Sequence, residues 1–357
     1  MDKSKLFCMF QVVVALSFSS CFFYSYFSKS YIWWPRFSVT TPQLHYSALS
    51  LLREFAAEQT CKPHDVISLS NYQVRSSAVM LRTEATRNSR SIHAAATDRH
   101  EANSTELVTS QLAVGLAVAI TSKGSVWKTT EKILHTFPFF HTLLPSFCST
   151  VTTGVANFHF FISFDDQDSF FKDPRLLCIF TDLFHTSLAT HCSHLNADEV
   201  SLHLVQCNHN KHPAWAQNDA VWTAYLFNME YVYRLNDDSQ LISKHWLERM
   251  VATLREFDPP NLGVVGPNHM GGNTAILTYD FVHKTHLELF GFHYPRVFIN
   301  WSADNWITDV YSPERMRKLV DVVLRHTLEK GQRYKQVAWP AEQIKPVVEA
   351  GKAVIER

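Results

Sequence analysis

The chain is predicted to fold as an α/β domain, a mainly parallel sheet with flanking helices, preceded by a transmembrane anchor and a stem. Three observations carry this. From residue 111 onward, short strands apolar on both faces alternate with amphipathic stretches of helix length, the pattern of a sheet covered on both sides. Two of those strands stop abruptly in polar, mostly acidic residues, at Asp165, Asp166 and Asp168, and at Asn236, Asp237 and Asp238. Near the amino terminus, residues 6–27 contain no charged side chain.

The first segment, 1–5, is expected as a cytoplasmic tail and 6–27 as an uncleaved signal anchor, long enough to cross a bilayer as a helix. Phe22, Phe23, Tyr24, Tyr26 and Phe27 continue bulky to its far end, where a cleavable signal would carry small residues. Lys3 and Lys5 favour a cytoplasmic amino terminus, a bias that Lys29 and Arg36 on the other side keep modest. The bulk of the chain is then lumenal.

Residues 28–110 are expected as a stem, largely disordered. "TPQLHYSALSLLREFAAEQT" has helix potential, but the residues beyond it are rich in Ser, Thr and Arg without a sustained apolar period. Asn103 opens a glycosylation sequon there. Cysteine use suits an oxidising compartment without proving one. Outside the anchor stand Cys61, Cys148, Cys178, Cys192 and Cys207, so at most two internal bridges form and one thiol is left over. None of their spacings is that of a zinc site.

The folded domain is expected over 111–335, with 336–357 as a carboxy-terminal extension. "LAVGLAVAIT" (112–121) is its first strand, followed by a helical stretch through "VWKTTEKILHTF". "NFHFFISFDD" (157–166) is the second strand, residues 174–191 a helix and "EVSLHLVQC" (199–207) the third strand. An amphipathic stretch over 214–229 leads to the fourth strand, "YVYRL" (231–235), and the residues from Leu241 look helical. "NLGVVGP" (261–267) is a further strand. Ligands of open α/β sheets bind beyond the carboxyl ends of the strands, and both acidic clusters fall at that edge. Lys+Arg and Asp+Glu both total 33, so neither a basic surplus for nucleic acid nor an acidic tail is present.

Taken alone, Asp237 and Asp238 suit a helix cap, with Asp238 or Ser239 accepting backbone N–H bonds. In isolation the cap is the better reading; the alternative is a Mg2+ or Mn2+ ion, which prefers hard oxygen ligands and completes its shell with substrate phosphates. The later run is more specific. The acids, then "GVVGP", "DFVHKTHLELF" and "YPRVFINWSADNWITDVY", with "FISFDDQDSFF" before and "HTLEKGQRY" after, together resemble a family of membrane-anchored, GT-A-fold glycosyltransferase-like proteins of protists and algae. The resemblance covers roughly 111–335.

That resemblance implies a GT-A-like fold and transfer of a sugar from a nucleotide-sugar donor to an acceptor hydroxyl, with Mn2+ or Mg2+ as cofactor. It makes Asp238 the direct metal ligand, with His326 completing the shell from a late strand. Asp237, Asp165 and Asp168 become donor or nucleotide contacts; a solvated strand-end turn explains Asp165 and Asp168 equally well. Asp304 becomes the base that takes the acceptor proton, and Trp301 and Trp306 offer flat faces to sugar rings, with core packing as the alternative for at least one of them. Partners would be the donor, a glycan, glycoprotein or other hydroxyl acceptor, and the membrane through the anchor; nucleic acid is not expected. The location implied is the Golgi or another secretory-pathway membrane.

Two amides depart from the pattern. Asn236 stands where related enzymes often have a third acid, and Asn305 follows Asp304 where a second acid is expected. They motivate a second reading, a catalytically silent relative that binds carbohydrate or scaffolds other enzymes. A nucleotidyl transferase or hydrolase on a similar sheet is a third, but it leaves the tryptophan segment unexplained and no P-loop is present. His283 and His286 would share a helix face, for packing or donor contact. "MGGN" (270–273) is either an ordinary turn or a loop that closes over the donor. Asn300 also opens a sequon, but a glycan there would block the acceptor side, so none is expected.

Overall fold

The computed structural model describes residues 66–68, 111–123, 130–209, 212–327 and 335–357. The predicted tail and anchor, and all of the predicted stem except Val66–Ser68, lie outside them, as does Asn103. Among the described residues no helix is long and apolar enough to cross a membrane.

In chain order the strands are β1 (Val66–Ser68), β2 (Leu112–Ala119), β3 (Ala156–Asp165), β4 (Val200–Cys207), β5 (Tyr231–Asn236), β6 (Ser239–Leu241), β7 (Val264–Met270), β8 (Phe281–His283) and β9 (Met316–His326). The helices are α1 (Thr130–Thr136), α2 (Leu144–Thr150), α3 (Pro174–His191), α4 (Pro213–Leu226), α5 (Trp246–Arg255), α6 (Thr285–Phe290), α7 (Ala303–Tyr311) and α8 (Ala341–Ile355), with a π-helical turn over Phe139–Leu143. The sheet runs β1-β4-β3-β2-β5-β8-β7-β9-β6. Its first five strands are parallel, as are β7 and β9. β8 is antiparallel to both neighbours, and β6 is antiparallel to β9. The sheet is therefore mixed but mainly parallel, in an α/β fold.

Side-chain alternation explains the layers. Phe158, Phe160, Ile162 and Phe164 of β3 enter one apolar cluster with Val114, Leu116 and Val118 of β2 and with Tyr231, Tyr233 and Leu235 of β5. The residues between them, Phe161, Ala117 and Val232, enter a second cluster on the opposite face. Period-two alternation with both faces apolar is what a strand covered by helices on each side requires. Helix α4 lies so close to β2 that a Cβ on Gly115 would stand 2.9 Å from that of Ala224, a close approach that only glycine permits. Helix α3 begins where Asp173 accepts from the Arg175 N–H and Pro174 occupies the first turn. A disulfide joins Cys148, on α2, to Cys192, the C-cap of α3. Cys178 is also disulfide-bonded, and Cys207 is a free, buried thiol.

Register aligns the carboxyl ends of the strands. Asp165 pairs with Cys207, and Ala119 pairs with both Ser163 and Asn236, so β2 to β5 all end along one line. The structure departs from the expected elements in three places. Ser239–Leu241 is an edge strand on β9 rather than the start of a helix; three residues are too few to show a period, and α5 starts only at Trp246. His283 lies on β8 while His286 lies in α6, so they share no helix face. His283 bonds to the Thr285 hydroxyl at 2.6 Å, and His286 lies between the Tyr311 hydroxyl and the His293 carbonyl at 2.8 and 3.0 Å; both are packing residues. Finally, Val66–Ser68 of the expected stem pairs in parallel with β4.

Candidate active site

β5 ends in a tight turn: the Asn236 N–H donates to Ser239 Oγ at 3.1 Å, and the chain reverses directly into β6. Because Ser239 pairs with His326 across the β6–β9 ladder, the last residue of β9 is delivered to the turn. His326 Nε2 lies 3.1 Å from Asp238 Oδ1. The Asp238 carbonyl accepts from both the N–H and the hydroxyl of Thr327, each at 3.1 Å, which fixes the register. Asp237 and Asp238 are only 1% and 5% exposed. Two cis ligands of an octahedral ion with bonds of ~2.1 Å stand ~3 Å apart, so the Asp238–His326 spacing fits a hard divalent ion with one imidazole ligand.

The surroundings of this pair are ordered. Tyr279 meets His326 edge-on with ring centroids 5.9 Å apart, and His269 meets the same tyrosine edge-on at 5.3 Å. His269 stands between the carbonyls of Gly271 and Ile276, at 3.0 and 3.2 Å, and burial lowers its pKa. Gly271 has φ +92°, and a Cβ there would come within 3.1 Å of the His326 carbonyl. The "MGGN" segment is therefore pressed against the metal-ligand candidate, and glycine is needed for that. A groove of about 680 Å³ opens beside His326, bordered by Thr327, Arg325, Gln240, Ser146 and His141; Asp237 and Asp238 do not border it.

Behind the turn lies a polar cluster that the sequence pattern does not reveal. Arg234, one residue before Leu235 in β5, is 6% exposed and donates to the Thr278 carbonyl. Asp280 is fully buried, pairs with His293 at 2.8 Å and accepts from the Tyr294 hydroxyl. Burial pushes the Asp280 carboxyl up, but His293, Arg234 and Tyr294 outweigh it and hold the pKa below the usual range. Asp304, in the first turn of α7, faces this cluster. Burial pushes its carboxyl up to about 6, against the pull of Arg234. The Tyr279 phenol is acted on by the charges of both Asp238 and Asp304, so the two acids share a neighbour. The signal available in the sequence was a lone arginine inside an otherwise apolar strand, just before the acids.

Asp304 is placed by a strained entry to its helix. Ser302 adopts φ +75°, an uncommon conformation for a residue with a Cβ, and its hydroxyl accepts from the Trp339 N–H at 2.9 Å. The Asn300 amide accepts from the N–H groups of Trp301 and Val337 and donates to the Lys335 carbonyl. With Asn300 8% exposed, that sequon side chain is committed to the fold.

The other candidates separate. Asp165 is half-buried at the end of β3 and accepts from the Gln167 N–H at 3.2 Å, leaving it at the aligned edge. Asp168 is not presented there as a donor contact. Its two oxygens accept from the Ser122 N–H and hydroxyl, the Thr121 hydroxyl and the N–H of Phe170, so it staples the exit of β2 to the loop after β3. Trp306 is corrected as well. It is 1% exposed, packs on Phe290 and Phe292, and donates from Nε1 to the Val347 carbonyl of α8 at 3.2 Å; it has no face for a sugar. Trp301 is 46% exposed.

No protein-family model matches this chain, and no curated protein matches it. Among solved structures it is distantly similar to S. aureus TarS, with a TM-score of 0.39 and 14% identity over 61% of this chain and 37% of that one. The chain thus spans little more than a third of TarS. A cytidylyltransferase from Leptospira borgpetersenii serovar Hardjo-bovis (strain JB197) gives a TM-score of 0.35 and 9% identity, over 69% and 97% of the two chains. A glycosyltransferase involved in the glycosylation of the major capsid of PBCV-1 gives 0.29 and 11%, over 67% and 99%. The likeness is distant and assigns no family.

Proposed function

We propose that this protein transfers a sugar from a nucleotide-sugar donor to an acceptor hydroxyl with the help of a divalent cation. The observation that carries the proposal is the 3.1 Å approach of His326 Nε2 to Asp238 Oδ1 at the carboxyl end of β5, the edge where ligands of open α/β sheets bind. Asp238 and His326 would hold the ion and Asp237 would support it. Bound there, the ion would act as a Lewis acid on the departing diphosphate. An imidazole ligand favours Mn2+ over Mg2+.

Asp304 is the base in this proposal. A carboxyl raised to about 6 is ionised at neutral pH yet basic enough to accept a proton as the acceptor hydroxyl attacks. Arg234 steadies its charge. Asp165 serves the donor nucleoside, and the exposed indole of Trp301 serves the acceptor. A lumenal, Golgi-type location with a membrane anchor belongs to the same proposal; the Cys148–Cys192 disulfide supports an oxidising compartment.

A second reading is supported by Asn236 and Asn305. The Asn236 side chain makes a long 3.5 Å bond to the Tyr279 hydroxyl and brings no charge to the ion, as a catalytically silent, carbohydrate-binding relative would show. The full-length chain, incubated with a panel of nucleotide sugars and Mn2+, should bind a nucleoside diphosphate only with metal and release it from at least one donor. Absence of metal-dependent binding sinks the proposal. Binding without turnover, with turnover created by Asn305→Asp, selects the silent reading.

A further inference from the structure

The exit of β4 brings together three side chains that neither the turn after β5 nor the Asp304 cluster uses. Cys207 is the last residue of β4, His209 follows in the connection, and Asp219 projects from the second turn of α4. The thiol sulfur, an imidazole nitrogen and a carboxylate oxygen all lie within 4.8 Å of one another. His209 Nε2 is 2.7 Å from Asp219 Oδ2. Cys207 is 2% exposed and Asp219 9%, so this is not a surface cluster of acids.

Two further details suit a cation. The thiol has only a weak partner, donating to the Phe164 carbonyl at 3.2 Å, although the carboxylates of Asp219, Asp165 and Asp166 all act on it. Asp166 donates its N–H to the Cys207 carbonyl at 2.7 Å, and its Oδ1 is buried without a hydrogen-bond partner. A buried carboxylate oxygen left unsatisfied carries its full desolvation penalty, and a polar ligand in the cluster would remove that cost.

We propose that Cys207, His209 and Asp219 form a zinc site, with a water in the fourth position that donates to Asp166 Oδ1. A sulfur, an imidazole and a carboxylate together suit borderline-soft Zn2+, whereas Mg2+ and Ca2+ take oxygen shells. Tetrahedral ligands with bonds of ~2.0–2.3 Å stand roughly 3.3–3.8 Å apart. Closing the three atoms on an ion therefore widens the His209–Asp219 pair slightly and draws the sulfur in. On binding, Cys207 releases its thiol proton to solvent and gives up its bond to Phe164. The ion would tie the exit of β4 to α4. In the sheet order β4-β3-β2-β5, three strand spacings of ~4.8 Å put it ~14 Å from the turn at Asp238, so this is a second site, independent of the proposed catalytic ion.

Co2+ tests this on the metal-stripped full-length chain, because cobalt bound to a thiolate has a near-ultraviolet charge-transfer band. One equivalent should produce that band with tetrahedral visible absorption, and one equivalent of Zn2+ should abolish both. Cys207→Ser should lose the charge-transfer band, and Asp219→Asn should weaken Co2+ binding at least ~100-fold, since even outer-shell losses cost 10–100-fold. Asp238→Asn should leave the band unchanged. Should Cys207→Ser not fold, His209→Gln carries the same test with the same expected ~100-fold loss. No thiolate band in the folded wild type, or a band that survives Cys207→Ser, overturns the proposal.

Discussion

His326 Nε2 lies 3.1 Å from Asp238 Oδ1, and a three-residue edge strand is what brings them together. Ser239 to Leu241 pair with β9 so that His326 ends opposite Ser239. The pair is thus built from main-chain hydrogen bonding, and substituting either side chain should leave the backbone in place.

That gives the first prediction. His326→Ala and Asp238→Asn should each lower Mn2+ affinity by at least ~10-fold, following the rule that metal-site partners are worth 10–100-fold. Calorimetric titration reads the affinity. His326→Ala should still unfold cooperatively, because the main-chain ladder between β6 and β9 holds the turn without that side chain.

Asp304 should show opposite effects on stability and activity. Its carboxyl is raised from ~4 in the unfolded chain to about 6 in the fold, so the folded state holds the proton more tightly. That stabilising contribution is fully present below about pH 4 and is lost as pH rises through about 6. At neutral pH the loss is on the order of 3 kcal/mol. Asp304→Asn should remove this decline in chemical-denaturation curves taken from pH 4 to 7.5, while lowering turnover by at least ~100-fold. Wild-type kcat/KM should rise with pH through an apparent pKa near 6.

The two tryptophans should behave unlike each other. Trp306→Ala removes a fully buried indole between α7 and α8 and should destabilise by about 3–5 kcal/mol. Trp301→Ala removes an exposed one and should change stability by less than ~0.5 kcal/mol. If Trp301 stacks on the acceptor, KM for the acceptor should rise while nucleotide binding stays unchanged.

His203 should make the fold acid-sensitive. It stacks on Phe161, meets Phe227 at a tilt and is hydrogen-bonded to His159 at 3.0 Å. Burial first, then His159, lowers its pKa to about 4. The unfolded chain therefore takes up a proton near pH 6.5 that the folded state refuses, and stability falls as pH drops from 6.5 towards 4. His203→Phe should cost about 1 kcal/mol at pH 8 for the lost hydrogen bond, yet be the more stable protein at pH 5.

Much of this fold was legible because its strands are long and apolar on both faces; "NFHFFISFDD" and "LAVGLAVAIT" suit little else. The edge where the acids gather followed from the rule for parallel sheets, and Asp238 and His326 do meet there. The hidden parts depended on pairing at long range. β6 is too short to carry a pattern, and Arg234 passed as part of an apolar run because its partners Asp280 and Asp304 lie far along the chain. Cys207, His209 and Asp219 have no zinc-like spacing; only the packing of α4 on the end of β4 places them together. Trp306 was ambiguous because a core indole and a sugar platform read alike until burial is known.

The three residues of β1 bear on where this chain can be cut. Val66, Ile67 and Ser68 hydrogen-bond along the outer side of Leu204, Val205 and Gln206. A fragment begun at residue 111, the apparent start of the folded domain, would strip that cover and leave β4 with a bare row of amides and carbonyls. Such an edge recruits other chains. Expression boundaries placed before Val66 should yield monodisperse protein, and boundaries after Ser68 should yield aggregates.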